Sequence, residues 1–214
     1  MLKIGVADYG MFVWEGGLFD YEQRLRDIKA IGYDGLERLR PVSESDAINT
    51  AAMVKKLGMD FATCLAPTAE KSIQWTAALG KDYVWADVSA KNFDDFCRQV
   101  NVQARACERY GIRVALHNHL GSLVETQEQL DEFMRRCPDA GLLLDTGHLA
   151  VAGGDALMRP SGRGTPEVLG HEGQGCARVV QPRLLHRPRL CTYRAERGIR
   201  TQCRGRRAAQ VARL

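Results

Sequence analysis

Two short stretches carry residue types that could do chemistry at spacings that bring them together. In "ALHNHLG", His117 and His119 are two residues apart, so both imidazoles point to one side of an extended strand while Asn118 points to the other. In "LLLDTGH", Asp145 follows an apolar run and His148 comes three residues later. A carboxylate at the end of a buried strand needs a cation or several hydrogen-bond donors to offset its desolvation. These stretches therefore predict a metal or proton-transfer site.

The donor types limit what such a site would bind. Imidazole nitrogen and carboxylate oxygen without thiolates suit a divalent ion, and Mn, Co, Mg and Zn all stay open. A bound ion could hold a substrate carbonyl and hydroxyl together while a neighbouring carboxylate or imidazole moves the adjacent proton, as in sugar isomerases, epimerases and some dehydratases. Two alternatives remain. One of the two histidines of the first stretch could serve only to pack or to support its neighbours, and Asp145 could serve only to cap the following turn.

The elements that must position these residues alternate between strand and helix. Short apolar runs predict strands, and apolar residues at helical spacing predict helices between them. The predicted strands cover residues 2–7, 35–39, 60–65, 83–88, 113–119 and 141–147. The predicted helices cover residues 20–32, 44–58, 69–80, 92–110 and 126–137. Strands that are apolar throughout are typical of a parallel sheet that is buried on both faces.

An open doubly wound sheet and a (β/α)8 TIM barrel both fit this alternation. The first loop, "DYGMFVWEGGLFD", contains neither G-x-G-x-x-G nor a phosphate loop, which disfavours the open sheet. Polar residues instead gather at the carboxyl ends of the predicted strands, where a barrel builds its active site. They are Glu37, Asp87, His117, His119, Asp145 and His148. We therefore predict an α/β fold, an incomplete TIM barrel with about six recognisable β/α units.

The charge pattern divides the 214-residue chain near residue 157. Residues 1–157 are acidic in balance, whereas residues 158–214 hold 13 Arg, no Lys and 3 Glu. This predicts a partial barrel domain over 1–157 and an irregular, poorly ordered Arg-rich tail over 158–214, with weak strand patterns only at 176–180 and 190–193. The tail could be a nucleic-acid-binding extension, a divergent end of the barrel, or the product of a reading-frame slip near codon 157. We favour the slip, because out-of-frame reading of a GC-rich gene yields Arg, Gly, Pro and Ala.

Composition predicts a cytoplasmic protein. No run of about 18 apolar residues indicates a membrane span, and "MLKIGVADYG" lacks the order of a signal peptide. The seven cysteines form no C-x-x-C and are expected to be reduced, with Cys64 and Cys97 as packing residues. No membrane is therefore an expected partner, and the acidic body disfavours phosphate backbones, which makes a nucleic acid an unlikely one.

The stretches "GIRVALHNHLGSLVETQEQLDEF" and "AGLLLDTGHLAVAGGD" resemble the sugar phosphate isomerase/epimerase superfamily, whose members have a xylose isomerase-like TIM barrel. Over residues 111–155 the pattern is especially similar to inosose (2-keto-myo-inositol) dehydratases. Earlier in the chain the resemblance rests on the strand-helix rhythm and on "GYDGLE", which is similar to a second-strand motif ending in Glu.

The resemblance implies a divalent ion with four ligands, one from each of strands five to eight. His117 and Asp145 match the first two positions and are the expected metal ligands. The phrases expected for the other two ligands are absent around His186 and Glu196. Because half of the expected ligands are missing, the chain is expected to be much less active than a complete barrel.

Further residues are assigned to the same site. Those expected to be catalytic are His119, His148 and Glu37. Those expected to bind a sugar face are Phe12 and Trp14. The alternatives are that Glu37 is an ordinary surface residue and that the two aromatic residues only close the barrel.

The expected function is that of a metal-dependent isomerase or epimerase acting on a small sugar, polyol or ketose by proton transfer next to a carbonyl. An inosose dehydratase-type lyase is the alternative, and an inactive truncated barrel is a further one. A DNA-repair nuclease with the same barrel would need more ligands than five histidines provide. The exact substrate, the metal, enzymatic activity itself and a homo-oligomeric state stay open.

Overall fold

The computed structural model describes residues 3–7, 20–155, 168–173 and 176–179, the last two ranges by their backbone alone. The strands in these ranges are β1 (Gly5–Val6), β2 (Gly35–Leu39), β3 (Asp60–Cys64), β4 (Tyr83–Trp85), β5 (Arg113–His117), β6 (Gly141–Asp145), β7 (Val168–Gly173) and β8 (Cys176–Val179). The helices are α1 (Tyr21–Ile31), α2 (Glu44–Lys56), α3 (Ala69–Ala78), α4 (Phe93–Glu108), α5 (Gln127–Arg136) and α6 (Thr146–Val151). The six predicted strands and five predicted helices are all present.

Capping residues explain where the helices begin. The residues before α2, α3, α4 and α5 have extended backbones, and the side chain of each accepts a hydrogen bond from the N–H three residues later. These residues are Ser43, Thr68, Asn92 and Thr126. Thr126 also forms a reciprocal capping box with Gln129. Helix α1 ends at Gly32, whose φ of 103° is in the left-handed region that favours glycine.

The eight strands form one sheet in the order β3-β2-β1-β8-β7-β6-β5-β4. Pairs among β1 to β3 and among β4 to β7 are parallel, whereas β8 is antiparallel to both β7 and β1. Within the predicted tail, residues 168–173 and 176–179 form strands β7 and β8. The weak pattern at 176–180 corresponds to β8, and β7 was not predicted. Predictions for 158–167 and 180–214, including a strand at 190–193, lie outside the described residues.

Strands β7 and β8 cover the edges that β1 and β6 would otherwise expose. Without β7 and β8, each of those strands would present a row of unpaired N–H and C=O groups along one side. Strand β7 pairs with β6 and β8 pairs with β1, so backbone hydrogen bonds satisfy both edges. This pairing requires no apolar period in the sequence, which is why the Arg-rich composition concealed it.

The core lies on both sides of the sheet. One cluster packs α4 and α5 against β4, β5 and β6, and a second packs α1 and α2 against β2 and β3. A third, smaller cluster takes one residue from each of β3, β4, β5 and β6: Ala62, Tyr83, Ala115 and Leu143. Ala115 and Leu143 alternate along their strands with residues of the helix-facing cluster, so the small cluster fills the concave side of the curled sheet. Cys64 and Cys97 are buried free thiols, as predicted.

Gly35 marks a close approach of β2 to β3. A Cβ atom at this position would lie 2.1 Å from the carbonyl oxygen of Asp60, its partner in the register. The second glycine of "GYDGLE", Gly35, is therefore required because a side chain would not fit, and it is followed two residues later by Glu37.

In the described part of the chain, no helix has both the length and the apolar composition needed to cross a bilayer.

Candidate active site

The carboxyl ends of β5 and β6 bring His117 and Asp145 together. The two strands are parallel neighbours, and each ends on the residue in question. His117 Nε2 lies 3.5 Å from Asp145 Oδ2, and the side chains are 11% and 13% exposed. The structure thus pairs the two expected metal ligands in a largely dehydrated position at the rim of the sheet.

Asp145 also fixes the position of His148. Asp145 is the N-cap of α6, and its Oδ1 accepts a hydrogen bond of 2.8 Å from the backbone N–H of His148. Its Oδ2 lies 3.4 Å from His148 Nδ1. His148 was expected on a loop, and that expectation is wrong because the cap starts a short helix at once. Asp145 does cap the helix that follows it, and the cap uses only one of its two carboxylate oxygens.

Asn118 joins the two strand ends. Its side-chain Nδ2 donates to the carbonyl oxygen of Asp145 at 3.0 Å, and its Oδ1 accepts from the N–H of Asp145 at 2.8 Å. Because the side chain takes over from the backbone ladder here, β5 ends at His117 and not at residue 119 as predicted. Asn118 is 1% exposed, so this pair of hydrogen bonds is shielded from water. Sequence reasoning gave Asn118 no role beyond pointing away from the histidines.

His119 completes a group of three imidazoles. Its ring centroid is 5.8 Å from that of His117 and 4.1 Å from that of His148, the latter in an edge-on arrangement. His119 Nδ1 lies 2.7 Å from the carbonyl oxygen of Leu120. A carbonyl oxygen only accepts hydrogen bonds, so in neutral His119 this contact places the proton on Nδ1 and leaves the lone pair on Nε2.

Glu37 is buried in the middle of β2. It is 2% exposed, so the alternative that it is an ordinary surface residue is wrong. Arg38 Nε lies 3.9 Å from Glu37 Oε1, and the Arg38 guanidinium carbon lies 3.7 Å from the ring centroid of Trp85. Trp85 in turn stacks on His117, with centroids 4.5 Å apart and an interplanar angle of 27°. Strand β2 is therefore connected to the rim histidines through an aromatic ring.

Sequence reasoning missed Arg38 and Trp85. Trp85 ends β4 as His117 ends β5, and "YVWADV" places it on the same face as Tyr83. Its position at a strand end was thus a signal that could have been used. Arg38 gave no such signal, because its contact with Trp85 joins strands that are not adjacent in the sequence.

The electrostatics of His117 favour the neutral imidazole. Burial lowers the pKa of His117 below its usual value of 6.5, and this outweighs the charges of Asp145 and Glu37, which raise it. A neutral ring keeps a nitrogen lone pair, which is the form that binds a metal ion.

Three residues are close enough together to hold one ion: His117, Asp145 and His148 each offer one donor atom, and these atoms all lie within 4.8 Å of one another. Tetrahedral ligands with bonds of about 2.1 Å are about 3.4 Å apart, which matches the two separations from Asp145 Oδ2. His148 Nδ1 also lies 3.2 Å from the carbonyl oxygen of Asn118 and must donate a proton if it makes that hydrogen bond. His117 and Asp145 are therefore the firmest candidates. The predictions for Phe12, Trp14, His186 and Glu196 fall outside the described residues.

Comparison with known proteins agrees with this architecture. The family model for the xylose isomerase-like TIM barrel matches residues 25–171, which include β2 to β6 and every site residue described above. The chain belongs to the xylose isomerase-like TIM barrel family. Two solved structures show the same fold. A sugar phosphate isomerase/epimerase from Parabacteroides distasonis has a TM-score of 0.56 and 18% identity, and the match covers 72% of this chain and 68% of that one. A D-psicose 3-epimerase has a TM-score of 0.57 and 13% identity, with 80% and 72% covered.

Among curated proteins, the chain is similar to an inosose dehydratase from Lactiplantibacillus plantarum. The two are 29% identical over 158 residues, which is 66% of this chain and 51% of the relative. The chain thus spans about half the length of that relative, and the match supports membership of the family without assigning the relative's activity.

Proposed function

We propose that the rim residues form the site of a metal-dependent enzyme that moves a proton next to the carbonyl of a small ketose or inosose. The observation that carries this proposal is that His117, Asp145 and His148 each offer a donor atom within 4.8 Å of the other two. His117 and Asp145 lie at the carboxyl ends of neighbouring strands, where enzymes with this fold build their active sites, and His148 follows in α6.

The donor set fits a divalent ion such as Mn, Co, Mg or Zn. Neutral imidazole and carboxylate groups both bind such ions, and the spacing around Asp145 Oδ2 suits one shared ion. His117 and Asp145 would hold it. When bound, the ion would supply Lewis-acid polarisation of a substrate carbonyl.

His119 is the proposed base. With Nδ1–H donated to the carbonyl oxygen of Leu120, its Nε2 lone pair can accept a proton from the carbon next to the carbonyl. His148 lies edge-on to His119 and is tied to Asp145 through its backbone, so it would orient substrate or base. Glu37, a buried anion near His117, is proposed to accept a hydrogen bond from a substrate hydroxyl.

Isomerisation or epimerisation is the first candidate, and dehydration of an inosose is the second. Dehydration is kept as a candidate because the chain is similar to an inosose dehydratase over 66% of its length. Both reactions begin with the same proton removal. An isomerase or epimerase returns a proton to carbon, whereas a dehydratase expels the neighbouring hydroxyl, which leaves as water after it gains a proton.

The test is to load the 214-residue chain with Mn²⁺, Co²⁺, Mg²⁺ or Zn²⁺ and to incubate it in D₂O with inosose and several ketoses. We expect one bound ion per chain and slow exchange of the proton next to the carbonyl, measured by NMR. Mass spectrometry then separates products that have lost water from isomers. His119→Gln should keep the ion and lose the exchange. Failure to bind an ion would refute the proposal and support an inactive barrel, whereas wild-type exchange that persists in this variant would refute the assignment of His119 as the base.

A further inference from the structure

Three side chains form a layered stack next to the rim histidines. The Arg38 guanidinium carbon is 3.7 Å from the ring centroid of Trp85, and the ring of Trp85 is 4.5 Å from that of His117. The stack crosses from β2 to β4 to β5. Trp85 pairs in register with Ala115, two residues before His117, so the indole and the imidazole leave neighbouring strands on the same side of the sheet.

The direction of His117 Nε2 depends on the plane of its ring. The 3.5 Å separation between His117 Nε2 and Asp145 Oδ2 is at the long limit of a hydrogen bond, so this contact restrains that plane only weakly. Stacking at a 27° angle restricts rotation about the bond that joins the ring to the rest of the side chain. The cation on the indole adds a favourable interaction with the same π-system and limits the movement of the indole itself.

We propose that Trp85, braced by Arg38, is a positioning residue that holds the His117 ring so that Nε2 faces Asp145 Oδ2. This inference rests on the metal site proposed above. It assigns a role to two residues that the proposed function leaves without one. A ligand that is oriented before the ion arrives loses less conformational freedom on binding, so the stack should raise ion affinity.

A purely structural role is the competing explanation, because Trp85 also packs against the small cluster on the concave side of the sheet. Two substitutions of similar size separate the roles. Trp85→Phe keeps an aromatic face for His117, whereas Trp85→Leu keeps apolar volume without one. A structural role predicts similar behaviour of both variants, and a positioning role predicts different ion affinities.

The experiment measures Mn²⁺ affinity of the full chain by titration with electron paramagnetic resonance, together with thermal unfolding. Trp85→Leu should weaken Mn²⁺ binding about 10-fold, as is typical when a residue that supports a ligand is lost. Trp85→Phe should stay within about 3-fold of the wild type because the phenyl face can still stack. Arg38→Met should give an intermediate loss. Trp75→Phe is the matched control, since Trp75 lies buried in a separate cluster with Ala47 and Ala66.

A second readout does not depend on the metal. In the ion-free chain, the stacked indole should shift the His117 ring proton resonances upfield, and Trp85→Leu should remove this ring-current shift while Trp85→Phe keeps part of it. Equal Mn²⁺ affinities of the Phe and Leu variants, or unshifted His117 resonances in the wild type, would overturn the positioning role. If the wild type bound no Mn²⁺ but showed the ring-current shift, the proposed metal site would be refuted while the stacking of Trp85 on His117 would be supported.

Discussion

Replacing Asn118 by Leu should damage both the stability of the fold and the metal site. The amide of Asn118 makes hydrogen bonds of 2.8 and 3.0 Å with the backbone N–H and C=O of Asp145. Leu has a similar shape but leaves both backbone groups without this partner in a position where Asn118 is 1% exposed. A buried polar group that loses its partner costs about 1–3 kcal/mol, so we expect a loss of about 2–4 kcal/mol in the free energy of unfolding.

The same change should weaken Mn²⁺ binding by about 10-fold, because the carboxylate of Asp145 is carried by the backbone that Asn118 holds. Urea unfolding gives the stability, and titration with Mn²⁺ gives the affinity. Thr76→Val is the control: buried Thr76 accepts a hydrogen bond from the N–H of Cys64 at 3.1 Å, far along the chain from the rim residues. It should cost about 1–2 kcal/mol and leave Mn²⁺ affinity unchanged.

Two results would refute this reasoning. If Asn118→Leu changed stability by less than about 0.5 kcal/mol, the paired hydrogen bonds would not be holding the strand ends together. If Thr76→Val weakened Mn²⁺ binding as much as Asn118→Leu, the loss of affinity would reflect general loosening of the fold. Asn118→Asp separates the two bonds, since it keeps the acceptor for the N–H of Asp145 but places an oxygen opposite its carbonyl.

Three further predictions follow from local geometry. Asp145→Asn should lower Mn²⁺ affinity at least 10-fold with little change in thermal unfolding, because the amide oxygen can still cap α6 at His148; loss of the fold would contradict this. Gly35→Ala should lower the unfolding free energy by more than about 2 kcal/mol, because its Cβ would lie 2.1 Å from the carbonyl oxygen of Asp60, and an unchanged urea midpoint would exclude that clash. Burial raises the pKa of Asp60, but the hydrogen bond and charge of Lys81 outweigh it and hold the pKa below its ordinary value of 3.8. The pair should therefore stabilise the fold above pH 4 and lose this effect as the pH falls through the lowered pKa, so the stability gap between wild type and Asp60→Asn should close in acid.

The alternation of strands and helices could be predicted because each element carries its own signal. Strands such as 141–145 are apolar throughout, and helices such as α5 begin at a capping residue and bury one side. The grouping of His117, His119 and Asp145 also followed from the sequence, because parallel strands end at the same rim. These inferences need only the period of one element and the direction of the chain.

Contacts between elements could not be predicted in the same way. The bonds from Asn118 to Asp145 and the stack of Arg38 on Trp85 depend on the register of separate strands, which one sequence does not display. The helical position of His148 was missed because capping a turn and contributing to the site were treated as alternative roles of Asp145. Strands β7 and β8 were obscured because the edges that they satisfy belong to other parts of the chain.

Asp145 shows how one carboxylate can serve both purposes. Its Oδ1 accepts the N–H of His148 at 2.8 Å, which fixes the side chain and begins α6. Its Oδ2 then faces His117 Nε2 at 3.5 Å and His148 Nδ1 at 3.4 Å. A carboxylate held at one oxygen presents the other with little remaining freedom, so a ligand on Oδ2 would need to order less of the chain. The capping hydrogen bond therefore orients Oδ2 for binding a ligand, because the same bond that starts the helix directs the lone pairs of Oδ2 towards the two histidines.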